Sequence, residues 1–391
     1  MSADWLPYER GALLTGTESD FAKLRAAWRI LARRSRDGRV FDFTGLVRSL
    51  DLGDTPPFAL DDELAPALYG ERLTELALEH LGGVPGRDDV FVANRLTAAV
   101  VAAMQVLVRP GSRVVGVSPS YTHPAVIRAV RLAGGEFEDG GAAEGADLVV
   151  LTRLAVTYEL LPDEELGRSY DSPVFVDDAG GARVGPAVFG QPRTLELGAE
   201  LGATGLDKYG TTGPRLGLLA GRAELVAEIR ARAIELGLEA RPMLYPAVVR
   251  SLESYRPERV RELVAATAAV GEALAERLGE WVVRTPVAVR LEGEAILAEG
   301  LRRAGLAEAP LVPIEATAAL AMVLLRDHGI LTVHFAALPP GTAALLLKFL
   351  PPETLERFGG AEAFARAVDE SLDEVARLLK RPAELRDLLA G

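Results

Sequence analysis

Residues 205–217 read "GLDKYGTTGPRLG", and the residue that decides their meaning is Lys208. The chain holds 43 lysines and arginines, yet only Lys23, Lys208, Lys348 and Lys380 are lysine. Wherever a positive charge suffices, this sequence uses arginine. A guanidinium stays protonated, whereas a lysine amine in an apolar or cationic setting loses its proton and attacks a carbonyl. A lone lysine among glycines at the end of a strand suits an imine-forming site. The competing reading is a solvated turn lysine, which the scarcity of lysine weakens.

Outward from this turn the chain alternates strand and helix patterns. Upstream, "DDVFVAN" (88–94), "SRVVGVSP" (112–119), "DLVVLTR" (147–153) and "SPVFVDDAGG" (172–181) read as buried strands. Between them, "RLTAAVVAAMQVLV" (95–108), "HPAVIRAVRLAGG" (123–135) and "PDEELGRSY" (162–170) read as helices. "GATGLDK" and "RLGLLAG" (215–221) are further strands, followed by a long helix over 222–238. Such alternation predicts an α/β fold with a mostly parallel, doubly wound sheet and ligands at the carboxyl ends of its strands. Residues 1–60 read as a helical N-terminal extension, 61–250 as the large domain and 251–391 as a smaller α+β domain. In the last, "EWVVRTPV" and "ILTVHFAAL" are expected strands, and "ATAALAMVLL" (316–325) a buried helix.

Composition narrows the chemistry. With 391 residues, 49% hydrophobic and 25% charged, the chain has ordinary globular make-up. It has no cysteine, and its four histidines (80, 123, 328, 334) lack HxxxH or HExxH spacing, so no cysteine- or histidine-based metal site is expected. No apolar run is long enough to cross a membrane, and no basic segment precedes an apolar stretch at the N-terminus; a cytoplasmic protein is expected. Scarce Asn, Gln, Cys and Met suggest a thermophilic source, with base-composition bias as the rival explanation. A net charge of −13 argues against a broad nucleic-acid-binding face while leaving room for a local basic patch.

Four groups lie at expected strand ends. Asn94, Arg95 and Thr97 open a helix, where free N–H groups and the helix dipole form a phosphate seat; the plainer reading makes Asn94 an N-cap. Tyr121 and His123 offer a flat ring for stacking. Asp177 continues an apolar strand, where a buried carboxylate needs a partner. That partner is either a divalent ion shared with Asp178 or a protonated heterocyclic nitrogen. Lys208 is the fourth. Together they ask for one ligand with a phosphate, a flat ring, a basic ring nitrogen and an aldehyde. Pyridoxal 5′-phosphate has all four.

In this order of groups, and in the spacing from Asp177 to Lys208, residues 60–250 resemble the fold-type I pyridoxal phosphate enzymes. "DDAGGARV" and "GLDKYGTTGPRLGLLAG" are similar to the turns of bacterial L-seryl-tRNA(Sec) selenium transferase (selenocysteine synthase) and of an archaeal family of uncharacterised pyridoxal phosphate proteins related to it. The resemblance implies a fold-type I transferase-like large domain with a seven-stranded-type sheet. It implies Lys208 as the internal aldimine (the Schiff-base lysine), Asp177 as pyridinium partner, and His123, or else Tyr121, as ring stacker. It further implies Thr204 as a phosphate contact, Arg241 as a substrate-anion binder, and at least a homodimer. The selenium transferases place a serine three residues before their lysine; here that residue is Gly205. They also carry an N-terminal tRNA-binding domain, which the short extension here does not match. The expected activity is a pyridoxal phosphate-dependent transferase or lyase acting on an amino-acid-like substrate by β-elimination or β-replacement. The alternatives are a pyridoxal phosphate-binding protein without turnover (an RNA-related or structural partner), or a phosphate/metal enzyme built on Asp177 and Asp178.

Overall fold

A computed structural model describes residues 5–333 and 338–390. The chain divides into two compact units: one formed by residues 47–261 with the extreme N-terminus through Trp5, the other by residues 6–46 and 262–391. The expected extension 1–60 is therefore shared between the two. Its helix Thr17–Arg36 packs on the C-terminal helix Pro382–Ala390, and the large unit runs past residue 250 to Arg261.

The large unit is built on seven strands, β1 Asp88–Ala93, β2 Arg113–Val117, β3 Glu136–Asp139, β4 Leu148–Leu151, β5 Val174–Asp177, β6 Leu201–Gly205 and β7 Gly217–Arg222. Their order across the sheet is β1-β7-β6-β5-β4-β2-β3, and only β7 runs against the rest. The inner strands are continuous apolar runs, as burial on both faces requires; "LVVL" of β4 is buried at every position. One face is covered by α2 (Leu96–Leu107), α3 (Pro124–Leu132) and α4 (Ala223–Leu236), whose Met104, Val130 and Ile229 share a core with Phe175 and Leu219. On the other face α1 (Leu64–Leu81) and the helix Tyr245–Glu253 pack Leu73, Leu81 and Val248 against Val92 and Leu218. Strand β3, "EFED", escaped sequence reading because it is a short, charged edge strand, the composition that blunts an open sheet edge.

Six parallel strands put the carboxyl ends of β1, β2, β4, β5 and β6 along one edge. The antiparallel β7 starts at that same edge, where Gly217 pairs with both Ala93 and Gly205. Every expected strand of this unit is present, although "GATGLDK" stops at Gly205 and leaves Asp207 and Lys208 in the following turn.

In the second unit, strands Val283–Arg284, Ala288–Leu291 and Leu345–Lys348 form a small antiparallel sheet. Phe41–Asp42 pairs in parallel with Ile330–Leu331. The helix expected over 316–325 is Pro313–Val323, buried throughout apart from its first residue. The expected strand "ILTVHFAAL" appears as Ile330–Leu331; residues 334–337, His334 among them, lie outside the described residues.

Gly217 tests this arrangement. A β-carbon there would sit 2.6 Å from the Arg95 carbonyl oxygen and 2.7 Å from the Leu96 α-carbon, both backbone. Gly217→Ala is therefore expected to lower the urea unfolding midpoint by an amount equivalent to about 1–3 kcal/mol. Gly70, inside α1 with nothing within 4 Å of its β-carbon position, should instead gain about 0.5–1 kcal/mol when changed to Ala. Equal effects at the two positions would contradict the packing of β7 on the start of α2.

Candidate functional site

Lys208 sits three residues beyond the end of β6 and is partly exposed. Its ammonium donates to Asp207 Oδ1 at 2.9 Å, and Arg215 Nε approaches the other Asp207 oxygen at 3.4 Å. Thr211 ties the turn from within, donating to the carbonyls of Leu206 and Lys208 at 2.7 Å each. Next to the lysine, Tyr209 takes a left-handed backbone (φ 44°), rare for a bulky residue. Its ring lies against Gly180, where a β-carbon would come within 2.0 Å of it. Its hydroxyl meets that of Tyr158, another left-handed residue (φ 64°), at 2.6 Å. Burial raises the pKa of both phenols well above the ordinary value, so the pair stays neutral.

A β-carbon on Gly205 would stand 2.9 Å from Lys208 Nζ and 2.9 Å from Asp207 Oδ1. In this chain the amine lies over the strand end at a glycine, and both contacts are with the ends of flexible side chains.

Asp177 and Asp178, adjacent in sequence, part company in the structure. Asp178 is fully buried, ion-paired with the equally buried Arg153 at 3.0 Å, and accepts from the Thr194 hydroxyl at 2.7 Å. Arg153 in turn donates to the Pro192 carbonyl at 2.6 Å. Asp177 is also buried, but no hydrogen bond or ion pair to its carboxylate is found among the described residues. Burial pushes its pKa up to about 7; Asp178 adds to the rise and the Lys208 charge opposes it. An orphaned carboxylate at the sheet edge, within the field of an amine, fits a protonated ring nitrogen. Asp178 spends Oδ2 on Arg153 and Thr194, while its Oδ1 is buried without a hydrogen-bond partner. Among the described residues no group of three or more His, Cys, Asp or Glu is placed to hold a metal ion.

His123 caps α3, its Nδ1 accepting from the Ala125 N–H at 3.1 Å. Burial, with help from Arg128 and Lys208, lowers its pKa to about 4, so the ring is neutral. Lys208 thus acts electrostatically on both His123 and Asp177. Tyr121, by contrast, packs edge to face with Trp5 at 5.8 Å.

At the end of β1, Arg95 rather than Asn94 is the N-cap of α2, and it offers no side-chain cap. The Asn94 amide donates to the Gly237 carbonyl at 3.3 Å, so the N-cap reading of Asn94 is replaced by a tie to the end of α4. Arg95 and Thr97 are exposed at the helix start. Arg95 and Arg48 also lie near enough to Arg215 to help lower its pKa, behind the larger effect of burial. Two other expected residues are placed differently. Thr204 is buried, donating to the Ala179 carbonyl at 3.1 Å and accepting from Arg183 at 3.0 Å, which commits its hydroxyl inside the protein. Arg241 is exposed and paired with Asp62.

The structure adds residues that motif reading passed over. Arg183 lies wholly buried, its pKa lowered to about 10 by burial; Arg153, Asp207, Tyr158 and Tyr209 complete the frame. The only sequence signal for them was position, an acid and a tyrosine flanking Lys208 and an arginine closing "DLVVLTR".

The α/β fold, with its mostly parallel central sheet, matches that of the fold-type I pyridoxal phosphate aminotransferases. An aspartate aminotransferase of Thermotoga maritima superposes with a TM-score of 0.57, at 14% identity over 90% of this chain and 96% of that one. An aspartate aminotransferase of Thermus thermophilus gives 0.56, at 18% identity over 88% and 96%. At such identities the likeness concerns the fold. No protein-family model matches. Curated relatives do: a UPF0425 pyridoxal phosphate-dependent protein of Methanothermobacter thermautotrophicus is 34% identical over 334 residues, 82% of this chain and 84% of that protein. Another, of Methanopyrus kandleri, is 32% identical over 358 residues, 88% and 93%. The chain belongs to the UPF0425 family of pyridoxal phosphate-dependent proteins.

The two buried titrating groups give opposite pH signatures in cofactor-free protein. Asp177 ionises near 3.8 when unfolded and near 7 when folded. It therefore removes stability as pH rises from about 4 to about 7, by up to about 1.4 kcal/mol per pH unit. His123 takes up a proton near 6.5 when unfolded but only near 4 when folded, so it removes stability as pH falls over nearly the same range. Relative to wild type, Asp177→Asn should gain stability with rising pH and His123→Gln with falling pH, measured by urea unfolding at several pH values. Parallel pH profiles for wild type and both variants would contradict the two burials.

Proposed function

We propose that this protein is a pyridoxal phosphate-dependent enzyme that acts on an amino-acid substrate at Cα or Cβ, by elimination or β-replacement. The observation that carries the reading is the unpartnered Asp177 carboxylate, buried one strand away from the turn that presents Lys208. The motif likeness around Lys208 supports the choice of reaction.

Each residue has a task in this reading. Lys208 would supply the amine that holds the cofactor and, as a free amine, would move the proton at the substrate Cα. Asp207 holds that amine over Gly205 before substrate arrives. The Asp177 carboxylate would hold the ring nitrogen in its protonated form, and the neutral His123 ring would serve as the stacking surface. The free N–H groups at the start of α2, with Arg95, Thr97 and Arg215, receive the phosphate. The cofactor itself supplies an electron sink for the charge left at Cα. Behind them, the pair of Asp178 with Arg153 fixes the strand that carries Asp177. The motif likeness also supports a homodimeric active form.

Borohydride reduction of the purified protein followed by peptide mapping tests the reading. A stable adduct is expected on Lys208, with loss of visible absorbance in Lys208→Ala. An adduct on Lys23, Lys348 or Lys380 instead, or a colourless protein that stays colourless when pyridoxal phosphate is added, would overturn it. Titration with O-phosphoserine and other small amino acids then distinguishes turnover from simple binding: substrate-dependent spectral change is expected.

A further inference from the structure

The net charge of −13 conceals one strongly basic face. Helix Thr17–Arg36, "TESDFAKLRAAWRILARRSR", turns Ala26, Ala27 and Ile30 into the core of its unit. On the opposite side Arg25, Arg29, Arg33 and Arg36 are exposed. At about 100° per residue these four, together with Phe21 and Trp28, fall within roughly 140° of helix surface. The two aromatic rings are exposed as well, Phe21 by 41% and Trp28 by 49%. They meet edge to face at 5.7 Å, and the Arg25 guanidinium lies 5.6 Å from the Phe21 ring centre.

Some exposed arginines of the chain are matched by acids: Arg72 by Glu75 and Glu253, Arg302 by Glu299, Arg377 by Glu374 and Glu384. Among the described residues Arg25, Arg29, Arg33 and Arg36 have no acidic partner. Four unmatched guanidiniums spread over about 16 Å of helix, at 1.5 Å per residue, repel one another. Two large exposed rings add an apolar cost beside them. Both are relieved by one kind of occupant, a chain of phosphates carrying flat, unstacked bases.

We propose that this face binds a single-stranded segment of nucleic acid, with the four arginines on the phosphates and Trp28 and Phe21 as stacking platforms. The proposal stands apart from the pyridoxal phosphate reading. A lipid surface fits less well, because the apolar side of the helix is already spent in the core and the outward side is the charged one. The acidity of the remainder of the chain does not prevent binding, since at physiological salt charges beyond about 8 Å are largely screened.

The test measures full-length holoprotein against fluorescein-labelled 20-nucleotide RNA and DNA single strands, the corresponding duplexes, and vesicles with 30% phosphatidylserine, over a salt series. For single strands the slope of log K against log salt should be about −2 to −3, as expected for three or four phosphates at about −0.7 each. Arg25→Gln/Arg29→Gln/Arg33→Gln should bind at least about 30-fold more weakly with a shallower slope, and Trp28→Ala about tenfold more weakly. Unchanged circular dichroism and thermal midpoint in the same variants keep loss of binding separate from loss of fold. The RNA and DNA arms decide which nucleic acid is preferred. Duplex or vesicle binding that exceeds single-strand binding would overturn the proposal. So would self-association of the chain that the triple variant abolishes, or single-strand binding equal in wild type and triple variant.

Discussion

A buried carboxylate with no hydrogen-bond or ionic partner is costly to keep charged, and Asp177 is such a group. It closes β5, so its place is dictated by the register of an apolar strand between β4 and β6. The protein without a ligand answers by holding the proton, with a pKa near 7. In the proposed function a cationic ring N–H beside Asp177 would reverse that preference. Much of the neighbourhood can be understood as keeping this one group available. Asp178 engages Arg153 and Thr194, so that guanidinium is not spent on Asp177. Lys208 is engaged by Asp207, so the nearest amine does not pair with Asp177 either.

Glycine and strain act on the same edge. Gly205 and Gly217 face each other across β6 and β7, and a side chain at either would meet Lys208 or the start of α2. Tyr209, left-handed and anchored through Tyr158, fixes the backbone immediately after the lysine. The edge is thereby cleared for a ligand while its one nucleophilic amine is held within a narrow range of positions.

Lys208, Asp177 and the helix start after β1 could be picked out in the sequence as candidates because their chemistry is written in residue type and in position at strand ends. The large sheet was legible for a similar reason, since apolar runs broken by glycine and proline repeat at regular intervals. What failed to show was whatever depends on neighbours distant in sequence. Arg153 and Asp178 are 25 residues apart and meet only because β4 lies beside β5. Thr204, attractive as a phosphate ligand, points instead into the interior, where Arg183 from the turn after β5 occupies its oxygen. Two-residue strands such as Val283–Arg284 and Ile330–Leu331 have no pattern of their own and exist through their partners. The choice between Asp177 and Asp178 was likewise undecidable from a dipeptide; the ion pair with Arg153 separates them. The net charge of −13 leaves open how arginines are distributed along one helix.

The central claim concerns the ionisation of one side chain, and it can be observed directly. Cofactor-free protein labelled with carbon-13 at aspartate side-chain carboxyls should show one resonance titrating near pH 7, absent in Asp177→Asn and driven to much lower pH when pyridoxal phosphate is bound. If the resonance lost in Asp177→Asn titrates below about pH 5, as ordinary solvated carboxylates do, the account of Asp177 as an orphaned buried acid is wrong.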